Sequence, residues 1–295
     1  MNTEDVGPHY LDLDVWPVVR QVTSIWDTQS EAVAAVEAAL PGLAKAVEAA
    51  AERLRERGRL VYCGAGTSAR IGVQDGAELL PTFSWPSDRV AFVIAGGAEA
   101  LLRAVENAED SAEDGASQIN RLEMTGNDVV IGVAASGNTP FTVAAVRAAR
   151  SRGALTVGVA NNPGSLLLAT ADHPVLIETG AEIIAGSTRL KAGTAQKVAL
   201  NIFSTALMLQ LGHVYRGLMV DMRPTNAKLR KRAEEMVVRL TECTKSAAAE
   251  ALAASGGHVK LAVLLVQGLN VSQAEALLAR NGGNLRSALA EAGLG

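Results

Sequence analysis

The chain of 295 residues is short of aromatic side chains: Phe, Tyr and Trp together make up 3% of it. That leaves little from which to build platforms for stacked nucleic-acid bases. Only two cysteines are present, Cys63 and Cys243, so no disulfide framework supports a chain of this length. Four histidines (His9, His173, His213 and His258) are scattered without the spacing of metal ligands, and no metal is expected. A basic excess is missing too: Lys and Arg number 27 against 31 Asp and Glu, a net charge of −4. Nucleic acid is therefore not an expected partner. No apolar run approaches the ~18 residues of a membrane span. The runs VVIGVAA (129–135) and LAVLLV (261–266) have the length of core elements. The opening MNTEDVGPHYLDLD is acidic and polar, unlike a secretory leader. A soluble, cytoplasmic protein without membrane association is expected.

What is present is apolar and regularly punctuated. Hydrophobic residues make up 48% and charged residues 20%, enough to bury a sizeable core. At ~150 residues per domain the length suggests about two domains. Residues 30–57 read as helix, with Val33, Val36, Leu40, Leu43, Val47 and Leu54 mostly three or four apart. Pro41 is a candidate break within it. RLVYC (59–63) reads as a strand. The loop GAGTSAR (64–70) follows, then a helix to about Leu80 that Pro81 is expected to end. The alternation continues with a strand at 91–95, a helix at 99–109, another near 114–122, and a strand at 128–135. After these come a helix from Phe141, strands at 155–161 and 173–179, and helical sequence from about Thr188 onward. The last part reads as a long helix (190–212), a helix over TNAKLRKRAEEMVVRL and three shorter ones, with a break at Gly282 and Gly283. Five apolar strands alternating with helices predict a parallel sheet covered on both faces, in the order 2-1-3-4-5, with a helical C-terminal subdomain. The expected division is 1–57 as N-terminal helices, 58–222 as the core, and 223–295 as the helical subdomain.

Two loops carry the chemistry. Gly64-Ala65-Gly66-Thr67-Ser68 follows the first strand and Ala135-Ser136-Gly137-Asn138-Thr139 the third. Both place small hydroxyl residues where a helix begins, and free backbone N–H groups there favour an anion. Plain helix capping is the alternative for either loop. In the expected strand order, however, the two loops flank the topological switch point, where ligands bind, so a phosphate site is favoured. A dinucleotide site is the competitor, since GAGTSA fits the loose G-x-G-x-x-G/A pattern. Against it, the second strand runs into Ile94-Ala95-Gly96-Gly97, with no acidic residue to hold a ribose. No Gly-Lys-Ser/Thr follows either loop, which excludes a P-loop.

Taken together, GAGTSAR, IAGG (94–97), ENAEDS (106–111), ASGNTP (135–140), NNPGS (161–165), GSTRLKAGTAQK (186–197) and MVDMRPTNAKLRKRA (219–233) resemble the N-acetylmuramic acid 6-phosphate etherases. The resemblance runs from about residue 30 to the C-terminus. That family belongs to the sugar isomerase (SIS) superfamily, to which the glucokinase regulatory protein is also related. The resemblance implies removal of D-lactate from N-acetylmuramic acid 6-phosphate by elimination followed by hydration, in the recycling of peptidoglycan sugars. It implies no cofactor, because the C1 aldehyde of the opened sugar acidifies C2. It implies a homodimer with residues of both subunits near each site. The apolar helices at 30–57 and 190–212 are the expected contacts.

The same resemblance implies that Glu78, in DGAELLPT, protonates the departing lactate oxygen and that Glu109 abstracts the C2 proton, although the sequence leaves open which is acid and which is base. Glu78 near a helix C-terminus, beside Leu79, Leu80 and Phe83, has surroundings that favour a neutral carboxyl. Gly66, Thr67, Ser68, Ser136, Gly137 and Thr139 are the expected phosphate residues. Glu182, Ser187, Arg189 and Lys191 are candidate substrate contacts, with a structural role the equal alternative for Arg189 and Lys191. The sequence departs from the family at Ala69, where Gly is usual, and at Leu79-Leu80, where Cys-Pro is usual. Two rival functions share the phosphate loops: an aldose–ketose isomerase, and a regulatory phosphosugar-binding protein without turnover.

Overall fold

In a computed structural model the described residues are 2–222, 224 and 226–294. Arg223 and Thr225, which belong to the MVDMRPTN motif, lie outside them. In chain order the first helices are α1 (Val18–Ala35) and α2 (Leu40–Leu54), and β1 (Leu60–Gly64) leads to α3 (Gly66–Ala77) and α4 (Leu79–Phe83). Then come β2 (Val90–Ile94), α5 (Ala112–Arg121), β3 (Val129–Ala134), α6 (Pro140–Ser151), β4 (Leu155–Ala160), α7 (Leu166–Thr170), β5 (His173–Leu176) and α8 (Lys191–Gln210). A short hairpin, β6 (Val214–Tyr215) and β7 (Leu218–Met219), precedes α9 (Ala227–Thr241), α10 (Lys245–Ala254), α11 (Val259–Val266), α12 (Val271–Arg280) and α13 (Leu285–Glu291).

The chain divides into two compact units. The first comprises residues 1–77 and 88–205, the second 78–87 and 206–295. In the first, five parallel strands lie in the order β2-β1-β3-β4-β5, as the alternation of apolar runs predicts. Residues of β1, β3 and β4 are buried throughout, because both faces are covered and the strands are central. The edge strands β2 and β5 are only partly buried. On one face Val61, Cys63, Val93 and Val130 pack with Ile119 of α5 and Phe141 and Val146 of α6. Burial pushes the Cys63 thiol up, so it stays protonated and inert.

Two polar anchors fix the sheet. Asp128, just before β3, accepts from the backbone N–H of Arg59 (2.8 Å) and Thr125 (2.7 Å) and from Arg59 Nη2 (2.9 Å). This joins the starts of β1 and β3. Deeper in, Asp75 of α3 accepts from Tyr62 Oη (2.7 Å), Asn201 Nδ2 (3.0 Å) and Ser204 Oγ (3.1 Å), tying α3 to β1 and α8.

The second unit packs Met222, Met236, Val237, Leu252, Val263, Leu277 and Leu289 into its core. Asn226, Thr244, Asn270 and Asn284 cap α9, α10, α12 and α13 through their side chains, with a full capping box at Asn270 and Gln273. Asp221 sits between His213 Nδ1 (2.8 Å) and Lys260 Nζ. His213 lies edge-on to Trp85.

Several expectations need correction. Residues 99–109 form no α-helix; 3-10 turns at Ala98–Leu101 and Ala108–Asp110 replace it. Leu102 is 91% exposed, so the helical periodicity there has no core to pack on, and Asn107 adopts a left-handed conformation. Pro81 does not end the preceding helix. α3 stops at Ala77, and Pro81 sits in the first turn of α4, where a missing N–H costs little. The predicted helix at 30–57 is two helices, with a 3-10 turn (Glu37–Ala39) before Pro41, and the first begins upstream at Val18. After α9 there are four short helices, not three.

Candidate active site

The loop after β1 turns at Ala65 and Gly66. The first α3 amide bonded back to a carbonyl is that of Ala69, to Ala65 O at 3.2 Å, so the N–H groups of Gly66, Thr67 and Ser68 precede the helix ladder. Neither loop spends its hydroxyls on capping the helix that follows. Thr139 stands at the N-cap of α6 with no side-chain cap bond. Ser136 Oγ accepts from Asn138 N (3.1 Å), which closes the turn before α6. The Asn138 side chain accepts from Leu166 N (2.9 Å) and so holds the loop against α7. Gly137 is required here. Its φ is +68°, and a Cβ at this position would lie 2.1 Å from Ser165 Oγ.

These loops meet in a cleft of about 460 Å³ lined by residues of the first unit. Gly66, Thr67, Ser68, Ser136 and Thr139 line it from the two loops, and Glu109 and Asp110 line it from the turn before α5. Gly186, Thr188 and Glu4 complete it. Glu109 is exposed and makes no side-chain hydrogen bond or ion pair among the described residues. Its carboxylate is open to whatever enters.

The other candidates fall elsewhere. Glu78 is not among the lining residues; it belongs to the second unit, at the N-cap of α4, and its side chain is exposed. The apolar surroundings expected for it are therefore absent in the single chain: Leu79 and Phe83 turn inward while Glu78 faces out. Glu182 is fully buried and accepts from the backbone N–H of Lys191 (2.8 Å) and Ala192 (2.9 Å), so both oxygens hold the N-terminus of α8. Burial raises its pKa, and the two backbone donors oppose that rise. Lys191 Nζ pairs with Glu31 at 2.9 Å. Ser187 closes the turn ahead of α8 through its backbone, and Arg189 is exposed; neither lines the cleft.

Sequence reasoning missed a buried polar chain behind the first loop. Ser68 Oγ donates to Gln196 Oε1 (2.9 Å), Gln196 Nε2 to Asn161 Oδ1 (2.9 Å), and Asn161 Nδ2 to Ile177 O (3.0 Å). Gln196 and Asn161 lie within the GSTRLKAGTAQK and NNPGS motifs, but only the fold brings them together. Among the described residues no group of three His, Cys, Asp or Glu side chains could hold a metal ion, and no single helix is long and apolar enough to cross a membrane.

Comparison with known proteins finds relatives over nearly the whole chain. Residues 42–150 match the glucokinase regulatory protein N-terminal SIS domain, and residues 104–206 match the SIS domain. An N-acetylmuramic acid 6-phosphate etherase of Deinococcus radiodurans is 51% identical, covering 98% of this chain and 95% of that one. A protein of the same name from Rubrobacter xylanophilus is 48% identical over 98% and 96%. Among solved structures, a phosphoheptose isomerase from Francisella tularensis shares the fold, with a TM-score of 0.52 and 18% identity, covering 66% of this chain and all of that one.

Proposed function

The chain belongs to the N-acetylmuramic acid 6-phosphate etherase family, and from that membership we infer that it cleaves the D-lactyl ether of N-acetylmuramic acid 6-phosphate, giving N-acetylglucosamine 6-phosphate and D-lactate. The observation that carries the reading is the single cleft in which both hydroxyl-bearing loops face the free carboxylate of Glu109. The N–H groups of Gly66, Thr67 and Ser68 and the hydroxyls of Thr67, Ser136 and Thr139 would hold the phosphate without adding a charge. Gly137 lets the backbone turn close enough to do so.

The chemistry then needs two proton transfers. In the ring-opened sugar the C1 aldehyde acidifies C2. Loss of the C2 proton to a base, cleavage of the C3–O bond and protonation of the leaving oxygen give lactate and a C2=C3 double bond conjugated with the aldehyde. Water adds at C3 and a proton returns to C2, so one water is consumed for each lactate released. Glu109 is the proposed base and Glu78 the proposed acid. Glu182 and Lys191 would serve by holding the start of α8, and with it the 186–190 segment that carries Ser187 and Arg189 beside the cleft.

A homodimer is part of this proposal. The apolar helices expected as contacts bury much of their apolar surface within the chain (Leu43, Val47 and Leu54 of α2; Leu200, Phe203 and Leu207 of α8). The exposed apolar face belongs to α1. There Val18, Val22, Ile25, Trp26 and Val33 recur at helical spacing, with Trp26 69% exposed. A partner subunit seated there would be a second copy, and Glu78, exposed in the single chain, would gain its surroundings from the assembly. The proposed substrate, a recycled wall sugar, supports the expectation of a cytoplasmic protein.

The test is lactate release from N-acetylmuramic acid 6-phosphate in heavy water, followed by NMR. Lactate together with N-acetylglucosamine 6-phosphate deuterated at C2 is expected. Binding without lactate or exchange would replace this reading with a regulatory one. Conversion of an aldose to a ketose without lactate would make it an isomerase.

A further inference from the structure

One carboxylate in the cleft comes from a segment with no motif in it. Thr3 is fully buried and is held by three hydrogen bonds. Its N–H donates to Asn162 Oδ1 (3.1 Å), its hydroxyl accepts from Asn162 Nδ2 (3.0 Å), and its carbonyl accepts from Gly186 N (3.0 Å). That anchorage delivers the next residue, Glu4, to the cleft wall beside Gly186 and Thr188, in the same cavity as Thr67, Ser136 and Glu109. Gly186 makes the space: its φ is +72°, and a Cβ there would lie 2.8 Å from Glu4 Oε2. Among the described residues the one side-chain bond to the Glu4 carboxylate, from Thr3 Oγ1, is 3.5 Å long and weak. Among the described residues Glu4 forms no ion pair. Its two oxygens therefore present acceptor capacity to the cleft and no donor.

A carboxylate placed this way cannot assist an anion at the same point, because like charges repel. Its partner must be a donor. N-acetylmuramic acid 6-phosphate carries two anionic groups, the phosphate and the lactyl carboxylate, and several donors, namely its hydroxyls and the amide N–H. We propose that Glu4 is a substrate-binding residue: it accepts a hydrogen bond from a sugar hydroxyl or the amide N–H, and so turns the phosphate and the lactyl carboxylate away from its side of the cleft. This inference rests on the function proposed above. It adds a residue that orients the sugar where the two loops grip only the phosphate.

The test compares the full-length wild type with Glu4→Gln, which keeps size and removes charge, and with Asn162→Ala, which loosens the Thr3 anchorage without lining the cleft. Titrations with N-acetylglucosamine 6-phosphate and with inorganic phosphate accompany KM and kcat for lactate release. For Glu4→Gln, sugar-phosphate affinity is expected to fall about tenfold, equivalent to about 1.4 kcal/mol. KM should rise in step, while inorganic phosphate binds as well as before or more tightly. Asn162→Ala should move the same quantities in the same direction. An unchanged KM and sugar affinity in an active Glu4→Gln enzyme would overturn the assignment alone. So would an equal loss for sugar phosphate and inorganic phosphate, which would mean damage to the loops. A wild type that releases no lactate would instead remove the proposed function, and this inference with it.

Discussion

The Ser68 hydroxyl donates to Gln196 Oε1 at 2.9 Å, and both side chains are buried. Ser68 lies on the wall of the cleft, yet its one proton points away from it. What it offers a ligand is its backbone N–H. The hydroxyl works on the other side of the wall, in the chain through Gln196 and Asn161 to Ile177 O.

Gln196→Leu is therefore expected to leave Ser68 and Asn161 without their partner and to lower stability by about 1–3 kcal/mol, read by denaturant unfolding. Ser68→Ala should lower stability by about 1 kcal/mol and change phosphate affinity less than twofold. A large loss of phosphate affinity in Ser68→Ala would show that the hydroxyl rotates to the ligand.

The two proposed proton carriers separate in heavy water. Glu109→Gln should lose both deuterium exchange at C2 and lactate release, by on the order of a hundredfold or more. Glu78→Gln should lose lactate release while C2 exchange continues. The reverse pattern would exchange their roles, and full lactate release in Glu78→Gln would remove that residue from the reaction.

Asp128 predicts an acid limb. Burial alone would raise its pKa, but the Arg59 guanidinium and the N–H groups of Thr125 and Arg59 outweigh burial and hold it below the ordinary carboxylate value. The folded chain thus binds this proton more weakly than the unfolded chain. The stabilisation is complete above the unfolded pKa of about 3.9 and fades as pH falls through the lower folded value. Asp128→Asn should cost about 2–3 kcal/mol at pH 7, since it strands a partly exposed arginine. It should also flatten the fall in stability below pH 4. Denaturant midpoints measured from pH 2.5 to 7 check both, and an unchanged acid slope would contradict the pairing.

The exposed face of α1 predicts assembly. Val22→Glu combined with Trp26→Glu places two charges where apolar side chains are 60% and 69% exposed. Sedimentation velocity should show a dimer for the wild type and a monomer for the double variant. Folding of the single chain should be unaffected, because neither side chain is in its core. A wild-type monomer, or a double variant that stays dimeric, would move the interface elsewhere.

The strand order and the paired loops were legible because buried parallel strands read as unbroken apolar runs, and small hydroxyl residues at two helix starts follow from their sequence alone. Thr67, Ser136, Thr139 and Glu109 indeed share one cleft. The 99–109 segment misled because periodicity reports a face without reporting whether anything lies against it, and Leu102 has nothing. Glu78 misled for a related reason: its sequence neighbours are apolar, but a helix start turns adjacent side chains in different directions. Glu4 and the Ser68–Gln196–Asn161 chain join residues 35 or more positions apart, and local pattern carries no trace of them.

The division of the chain also has an order in time. Residues 78–87 belong with the C-terminal unit, although the strands on either side of them belong to the first. During synthesis the sheet's strands emerge early, with one proposed proton carrier, Glu109, among them. The other, Glu78, emerges earlier still, in a stretch that belongs to the same compact unit as residues 206–295. A chain halted before residue 206 would hold the phosphate loops and lack most of the unit to which residues 78–87 belong, so that stretch is made early and packed late.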